Sequence, residues 1–284
     1  MSNQDRYIPG VPCWVDTTQP DPEAAVAFYG ELFGWQFEDV MPPESPARYF
    51  VARLGGGDVA AVSSQMEGAP TAWNTYIWVD NADETAAKVR AAGGSVLSEP
   101  MDVGKAGRMA VCADPAGAAF SLWQANEHRG ATVVNEPGSV NFNDLHTNDA
   151  DGAREFYGAV FGWDLLSGGM WALPAYGDFL EERNPGTRER VAQFGGPSRF
   201  EEVVATLLRI DGPARWGVTF AVEDADATAA RATELGGTVL IPPVDAPWVR
   251  TTVIADPAGA VFTASKFVPE NRDLAPAGSA ASSA

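Results

Sequence analysis

The sequence predicts an α+β protein built from four βαβββ units, two in each half of the chain, and three observations carry that prediction. Residues 21–35 (DPEAAVAFYGELFGW) return almost word for word as residues 149–163 (DADGAREFYGAVFGW), so the chain is a duplication. Residues 114–118 (DPAGA) return unchanged as 256–260. Between these words, runs with period-two alternation follow runs with three-and-four apolar spacing in a fixed order.

The elements of the first half follow in turn. Residues 12–17 alternate as a strand, and the next segment places Ala24, Ala25, Phe28, Leu32 and Phe33 on one helical face. Residues 49–54 and 59–63 read as short strands around a turn at Gly55, Gly56 and Gly57, a run that lacks the lysine and hydroxyl residue of a phosphate loop. Residues 73–79 start a further strand, 84–92 a helix stopped by Gly93 and Gly94, and 95–97, 108–113 and 118–124 three more strands.

The second half repeats this plan, with Asn81–Ala87 matched by Asp224–Ala230. Phe28 to Phe156 spans 128 positions and Asp114 to Asp256 spans 142, so the second copy carries about fourteen extra residues. They are expected in the charged, Gly- and Pro-rich stretch at about 181–203, as a lid or a surface excursion. The expected organisation is a first domain over 8–128, a linker over 129–138, a second domain over 139–268 and a disordered tail over 269–284.

With 38 acidic against 19 basic residues the net charge is −19, a field that repels nucleic acid and anionic membranes. Neither is expected as a partner. Cys13 and Cys112 sit in apolar runs with no CxxC pair, and residues 1–10 lack the apolar core of a secretory signal, so a cytoplasmic protein with reduced thiols is expected.

Four βαβββ units, with FYxxxFGW after the first helix of each half and DPAG before its last strand, resemble the vicinal oxygen chelate superfamily of glyoxalases, bleomycin-resistance proteins and extradiol dioxygenases. The resemblance covers residues 11–268 and implies two tandem glyoxalase-like domains whose sheets curl into cups with a metal at the base. It also implies which positions would hold that metal: Trp14, Asn74 and Ser121 in the first half, and Phe142, Gly217 and Thr263 in the second. None carries the imidazole or carboxylate that such a site needs, so no metal and no cofactor is expected. The words at residues 12–16 (PCWVD), 73–76 (WNTY) and 122–126 (LWQAN) are similar to a metal-free actinobacterial branch that includes a mycobacterial glyoxylase-type antigen and an accessory protein for late oxidation steps of anthracycline biosynthesis.

Strand alternation places Trp14 and Asp16, then Asn74, Tyr76 and Trp78, then Ser121 and Trp123 on the cup face of the first half, and Phe142, Asp144 and His146 on that of the second. These aromatic rings suit a planar, partly apolar ligand. Asp144 and His146 are the candidate acid and base. Arg108 and Arg250 are expected to pair with Asp16 and Asp144 of their own halves.

The first functional expectation is a metal-free binding protein for a planar aromatic metabolite, in antibiotic biosynthesis or self-resistance by sequestration, with a biosynthetic oxygenase as a partner. The second is a metal-independent lyase, isomerase or hydroxylase-assisting enzyme that uses Asp144 and His146. A sensor or interaction module is the third, favoured if the cups are filled by their own side chains.

Overall fold

The computed structural model describes residues 7–65, 68–193 and 195–274; of the tail expected over 269–284, residues 275–284 lie outside the described residues. In the first half β1 (Pro12–Gln19), α1 (Pro22–Phe33), β2 (Gln36–Asp39), β3 (Tyr49–Leu54) and β4 (Gly57–Ser64) form one βαβββ module. The second module is β5 (Ala72–Trp78), α2 (Ala82–Ala91), β6 (Ser95–Val103), β7 (Gly107–Ala113) and β8 (Ala119–Ala125). The other half supplies β9 (Val140–Thr147), α3 (Ala150–Phe161), β10 (Asp164–Leu166), β11 (Met170–Ala172), α4 (Pro174–Arg183), α5 (Thr187–Gln193) and β12 (Val203–Arg209). It ends with β13 (Arg215–Ala221), α6 (Ala225–Glu234), β14 (Thr238–Ala246), β15 (Val249–Ala255) and β16 (Val261–Phe267).

Each half makes one eight-stranded mixed sheet, in the orders β2-β3-β4-β1-β5-β8-β7-β6 and β10-β11-β12-β9-β13-β16-β15-β14. The first strand of each module returns parallel to its last, with Asp16 opposite Ala61 and Tyr76 opposite Ser121, and the second half repeats that pairing. The glycine turn is a two-residue hairpin: Gly55 and Gly56 have φ of 59° and 85°, which only glycine adopts without strain at both positions. The extra residues of the second half begin earlier than expected, since α4 already starts at Pro174, and they build α4 and α5 between β11 and β12. Beyond 268, Pro269–Asn271 closes a single 3-10 turn. Among the described residues no helix is long and apolar enough to cross a membrane.

The two compact units do not coincide with the two halves. One is made of the segment ending at Trp14 with Asn74–Gly130 and Phe142–Gly217, the other of Val15–Trp73, Ala131–Asn141 and the segment from Val218. Each unit therefore takes one module from each half of the duplication.

The repeated words are explained inside these units. Asp21 and Asp149 cap the first turns of α1 and α3, accepting from the amides of Ala24 and Gly152, and Gly34 and Gly162 end the same helices in the left-handed region. In the DPAG turn, Asp256 Oδ1 accepts from the amides of Ala258 and Ala260, and its Oδ2 accepts from Tyr29 Oη at 2.8 Å. Asp114 does the same with Ala116, Ala118 and Tyr157 Oη, the last at 3.1 Å. Trp73 Nε1 donates to Tyr29 and Trp216 Nε1 to Tyr157, while Trp35 and Trp163 donate to the carbonyls of Gly138 and Gly10.

The tyrosine of FYxxxFGW in each half thus donates to the DPAG aspartate of the other half. The rings around these bonds are core: Tyr29, Tyr157, Trp163 and Trp171 are among the largest fully buried side chains. FYxxxFGW and DPAG are the means by which a duplicated chain closes two cores, since buried hydroxyl, indole and carboxylate groups need partners.

Candidate functional site

The cup-face residues of the first half stand on β1, β5 and β8. Parallel pairing sets Tyr76 beside Ser121 and Trp78 beside Trp123, so the alternation expected from the sequence holds in the register. Trp14, Tyr76 and Trp123 are then drawn into one cluster, with relative exposures of 4 %, 8 % and 5 %. Tyr76 meets Trp123 edge-on at 6.2 Å, and His128 completes the group, edge-on to Trp14 at 4.4 Å and to Trp123 at 5.7 Å. Trp123 Nε1 donates to the His128 carbonyl at 3.0 Å. A Cβ at Gly107 would lie 2.7 Å from the Trp123 ring, so the absence of a side chain there lets the indole lie on β7.

His128 is the member that alternation could not supply. It follows the last strand, where no period applies, and the sequence offers no signal that its ring folds back onto Trp14. Trp78, beside Trp123 in the register, is half-buried and stacks on Tyr7 at 6.0 Å with 27° between the planes. Ser121 is buried and Asn74 half-buried on the same strands. Asp16 is 2 % exposed and accepts from Tyr49 Oη at 3.2 Å, a partner contributed by β3.

In the second half, β9 carries Phe142, Asp144 and His146. Phe142 is half-buried. Asp144 is buried and accepts from Thr206 Oγ1, which stands directly opposite it in the β9–β12 pairing. His146 is half-buried, and its Nδ1 has no hydrogen-bond partner among the described residues. Burial, aided by the positive charge of Arg215, pushes its pKa down to about 4. At neutral pH the imidazole is therefore uncharged, able to accept a proton weakly and unable to act as a standing acid. Its Nε2 lies 3.1 Å from where a Cβ on Gly217 would be, which makes glycine the residue that fits position 217.

The expected pairing of Arg108 with Asp16 and of Arg250 with Asp144 is replaced by a different one. Arg108 forks onto Asp83 at 2.8 and 3.0 Å and reaches Asp102 at 2.9 Å; Arg250 binds Asp226 and Asp245 in the same manner. The reason is local geometry. Asp102 and Asp245 lie directly across the β6–β7 and β14–β15 hairpins from the two arginines, and Asp83 and Asp226 occupy the first turns of α2 and α6. A cross-strand neighbour on an exposed hairpin keeps both charges in water, whereas reaching a buried aspartate would strip both of it.

The metal implied by the fold has no matching donor set. The positions that would hold it carry indole, amide, hydroxyl and phenyl groups and a glycine, and among the described residues no three of His, Cys, Asp or Glu converge. Burial raises both thiols, that of Cys112 to about 12, so neither offers a thiolate.

Comparison with known proteins agrees with this architecture. Residues 14–122 match the family model described as "Glyoxalase/Bleomycin resistance protein/Dioxygenase superfamily", and residues 139–265 match a "Glyoxalase-like domain". The chain is 40 % identical over 280 residues to the protein named "Putative glyoxylase CFP32" of Mycobacterium bovis, covering 95 % of this chain and all of that one. It is 37 % identical over 276 residues to the anthracycline biosynthesis protein DnrV of Streptomyces peucetius, covering 91 % and 94 % of the two chains. Among solved structures, the Mn(II)-bound glyoxalase of Novosphingobium aromaticivorans superposes with a TM-score of 0.59 at 16 % identity, over 91 % of this chain and 83 % of that one.

Proposed function

The chain belongs to the glyoxalase/bleomycin-resistance/dioxygenase superfamily, and from that premise we propose that it is a metal-free small-molecule-binding protein for a planar aromatic metabolite. One observation carries the reading: where the fold's metal ligands would stand, Trp14 and its neighbours Tyr76, Trp123 and His128 form a cluster of rings. The rings of Trp14, Tyr76 and Trp123 are nearly fully buried against one another, so stacking on a ligand, worth roughly 0.5 to 1.5 kcal/mol per aromatic pair beyond the area term, falls to half-buried Trp78 at the edge of that face. The proposed ligand-binding face comprises Trp14, Asp16, Asn74, Tyr76, Trp78, Ser121, Trp123 and Phe142, with half-buried Trp78 as its accessible end.

Relatives named as anthracycline biosynthesis proteins support a place in antibiotic biosynthesis, as an accessory to an oxygenase at a late oxidation step or as a sequestering resistance protein. The proposed setting is the cytoplasm, where the thiols of Cys13 and Cys112 stay reduced.

A second reading is favoured by the Nδ1 of His146, which has no hydrogen-bond partner among the described residues and lies two residues from Asp144: metal-independent proton transfer in a lyase, isomerase or hydroxylase-assisting enzyme. A pKa near 4 makes His146 a weak base at neutral pH, which weighs for binding over catalysis.

Isothermal titration against a panel of fused-ring phenols and quinones, paired with product analysis, tests the two together. Saturable micromolar binding that survives His146→Ala supports the first reading. Turnover of a bound compound that is lost in His146→Ala supports the second, and no binding across the panel removes the first.

A further inference from the structure

The extra residues of the second half do more than lengthen it. Gly177 on α4 is buried, and a Cβ there would lie 2.7 Å from Glu202 Cγ, so the helix sits directly on the 3-10 turn Phe200–Glu202. Asp178 binds Arg188 at 2.7 Å, and Glu181 accepts from the amides of Gly186 and Arg188 at 2.7 and 3.0 Å, tying α4 to α5.

With Gly177 against that turn, α4 carries Tyr176, Phe179 and Arg183 at three- and four-residue spacing. The rings of Tyr176 and Phe179 stack at 6.2 Å with 19° between planes, and the Arg183 guanidinium covers Phe179 at 4.6 Å. Phe179 and Arg183 share an open groove of about 640 Å³ with Trp78 and Tyr7, whose own rings are stacked, and with Arg129. Asp80 and Glu182 add acceptors to its lining.

We propose that this groove is a binding site for a fused-ring aromatic compound carrying acidic or carbonyl oxygens. The inference rests on the aromatic-binding reading above and locates its ligand. Trp78 offers a flat face to a ring system, Phe179 holds the Arg183 guanidinium flat against the groove wall, and the N–H edges of Arg183 and Arg129 suit oxygens on the edge of that ring system. The carboxylates of Asp80 and Glu182 accept from phenolic hydroxyls. The equivalent connection in the first half is the two-residue turn at Gly55 and Gly56, which provides no such wall, so one site per chain is expected.

The test is calorimetric titration of the full chain with 1-hydroxy-2-naphthoate and, as a charge-reversed probe, 2-naphthylmethylammonium. The wild type should take one equivalent of the hydroxynaphthoate at least fivefold more tightly than the ammonium. Phe179→Ala and Arg183→Gln, both on α4 away from Gly177, should each weaken the hydroxynaphthoate at least fivefold without changing the thermal midpoint. Unchanged affinity in both variants would overturn the groove while leaving the aromatic-binding reading intact. Equal affinity for the two probes would overturn the assignment to acidic oxygens, and failure of the wild type to bind either would overturn both proposals.

Discussion

The two compact units close their cores on the same bond, yet the two carboxylates involved stand in different company. In one unit Asp256 Oδ2 accepts from Tyr29 Oη at 2.8 Å and also from Gln19 Nε2 at 2.7 Å, and Gln19 in turn reaches Thr17. In the other, Thr147 stands at the position equivalent to Gln19, its hydroxyl engaged by the Asp149 amide, and Asp114 accepts from Tyr157 Oη at 3.1 Å. Burial raises the Asp114 carboxyl above its ordinary value despite the donors around it. Duplication has kept the words that close a core and let their surroundings drift. The same drift turned a two-residue hairpin in one half into α4 and α5 in the other. Function in this chain is therefore to be sought where the copies differ.

Removing each carboxylate tests that comparison most forcefully. Asp256→Ala leaves the Tyr29 hydroxyl, the Gln19 amide and two backbone amides without their acceptor, and should cost about 4 kcal/mol in urea denaturation. Asp114→Ala strands one side-chain donor fewer and should cost about 1 kcal/mol less. Equal losses would mean that Gln19 adds nothing.

The pH profile of stability follows next, with two groups of opposite sign. His146 is held near 4 when folded and titrates near 6.5 when unfolded, so the unfolded chain binds the proton first and stability falls as pH drops from 6.5 to about 4. Allowing for its partial access to solvent, the loss should be about 2 kcal/mol, and His146→Leu should remove that limb. Asp114 works the other way. Its raised carboxyl takes a proton in the folded state before the unfolded one, so its contribution grows as pH falls through the raised value toward 3.8. Asp114→Asn should abolish that gain, and an acid limb unchanged in both variants would contradict the assignment.

Smaller again is Gly217→Ala, whose Cβ would press on His146 Nε2 at 3.1 Å. It should cost about 1 kcal/mol, and most of that should be recovered in a His146→Ala background. At the bottom of the scale, Arg108→Ala and Arg250→Ala should leave the denaturation midpoint where it is, because their forks onto Asp83, Asp102, Asp226 and Asp245 are solvent-screened. A clear loss at either would show that these pairs hold the hairpins.

Most of the fold was legible because each word was written twice. Helix caps, the DPAG turns and the period-two strands all appear at matching positions. The strands β2 and β10 were not, being three or four residues long with little buried on either face. The helix α4 was missed as well, although Pro174 in its first turn is a starting signal; charge, Gly and Pro further along read as loop. In the candidate site, alternation brought Trp14, Tyr76 and Trp123 to one face, but it carries no information on His128, which arrives from beyond the last strand. The arginine pairing failed for a related reason. Equivalent positions in two halves establish that two residues have the same role, and only the hairpin register tells which partner lies across the strand.

Ligand binding by this chain is proposed to need no metal. The direct measurement is elemental analysis of the purified full chain together with titration of fused-ring aromatic compounds before and after exhaustive chelation. Metal well below one equivalent, with the same affinity on both sides of the chelation step, is the predicted result. A stoichiometric divalent ion whose removal abolishes binding would contradict it.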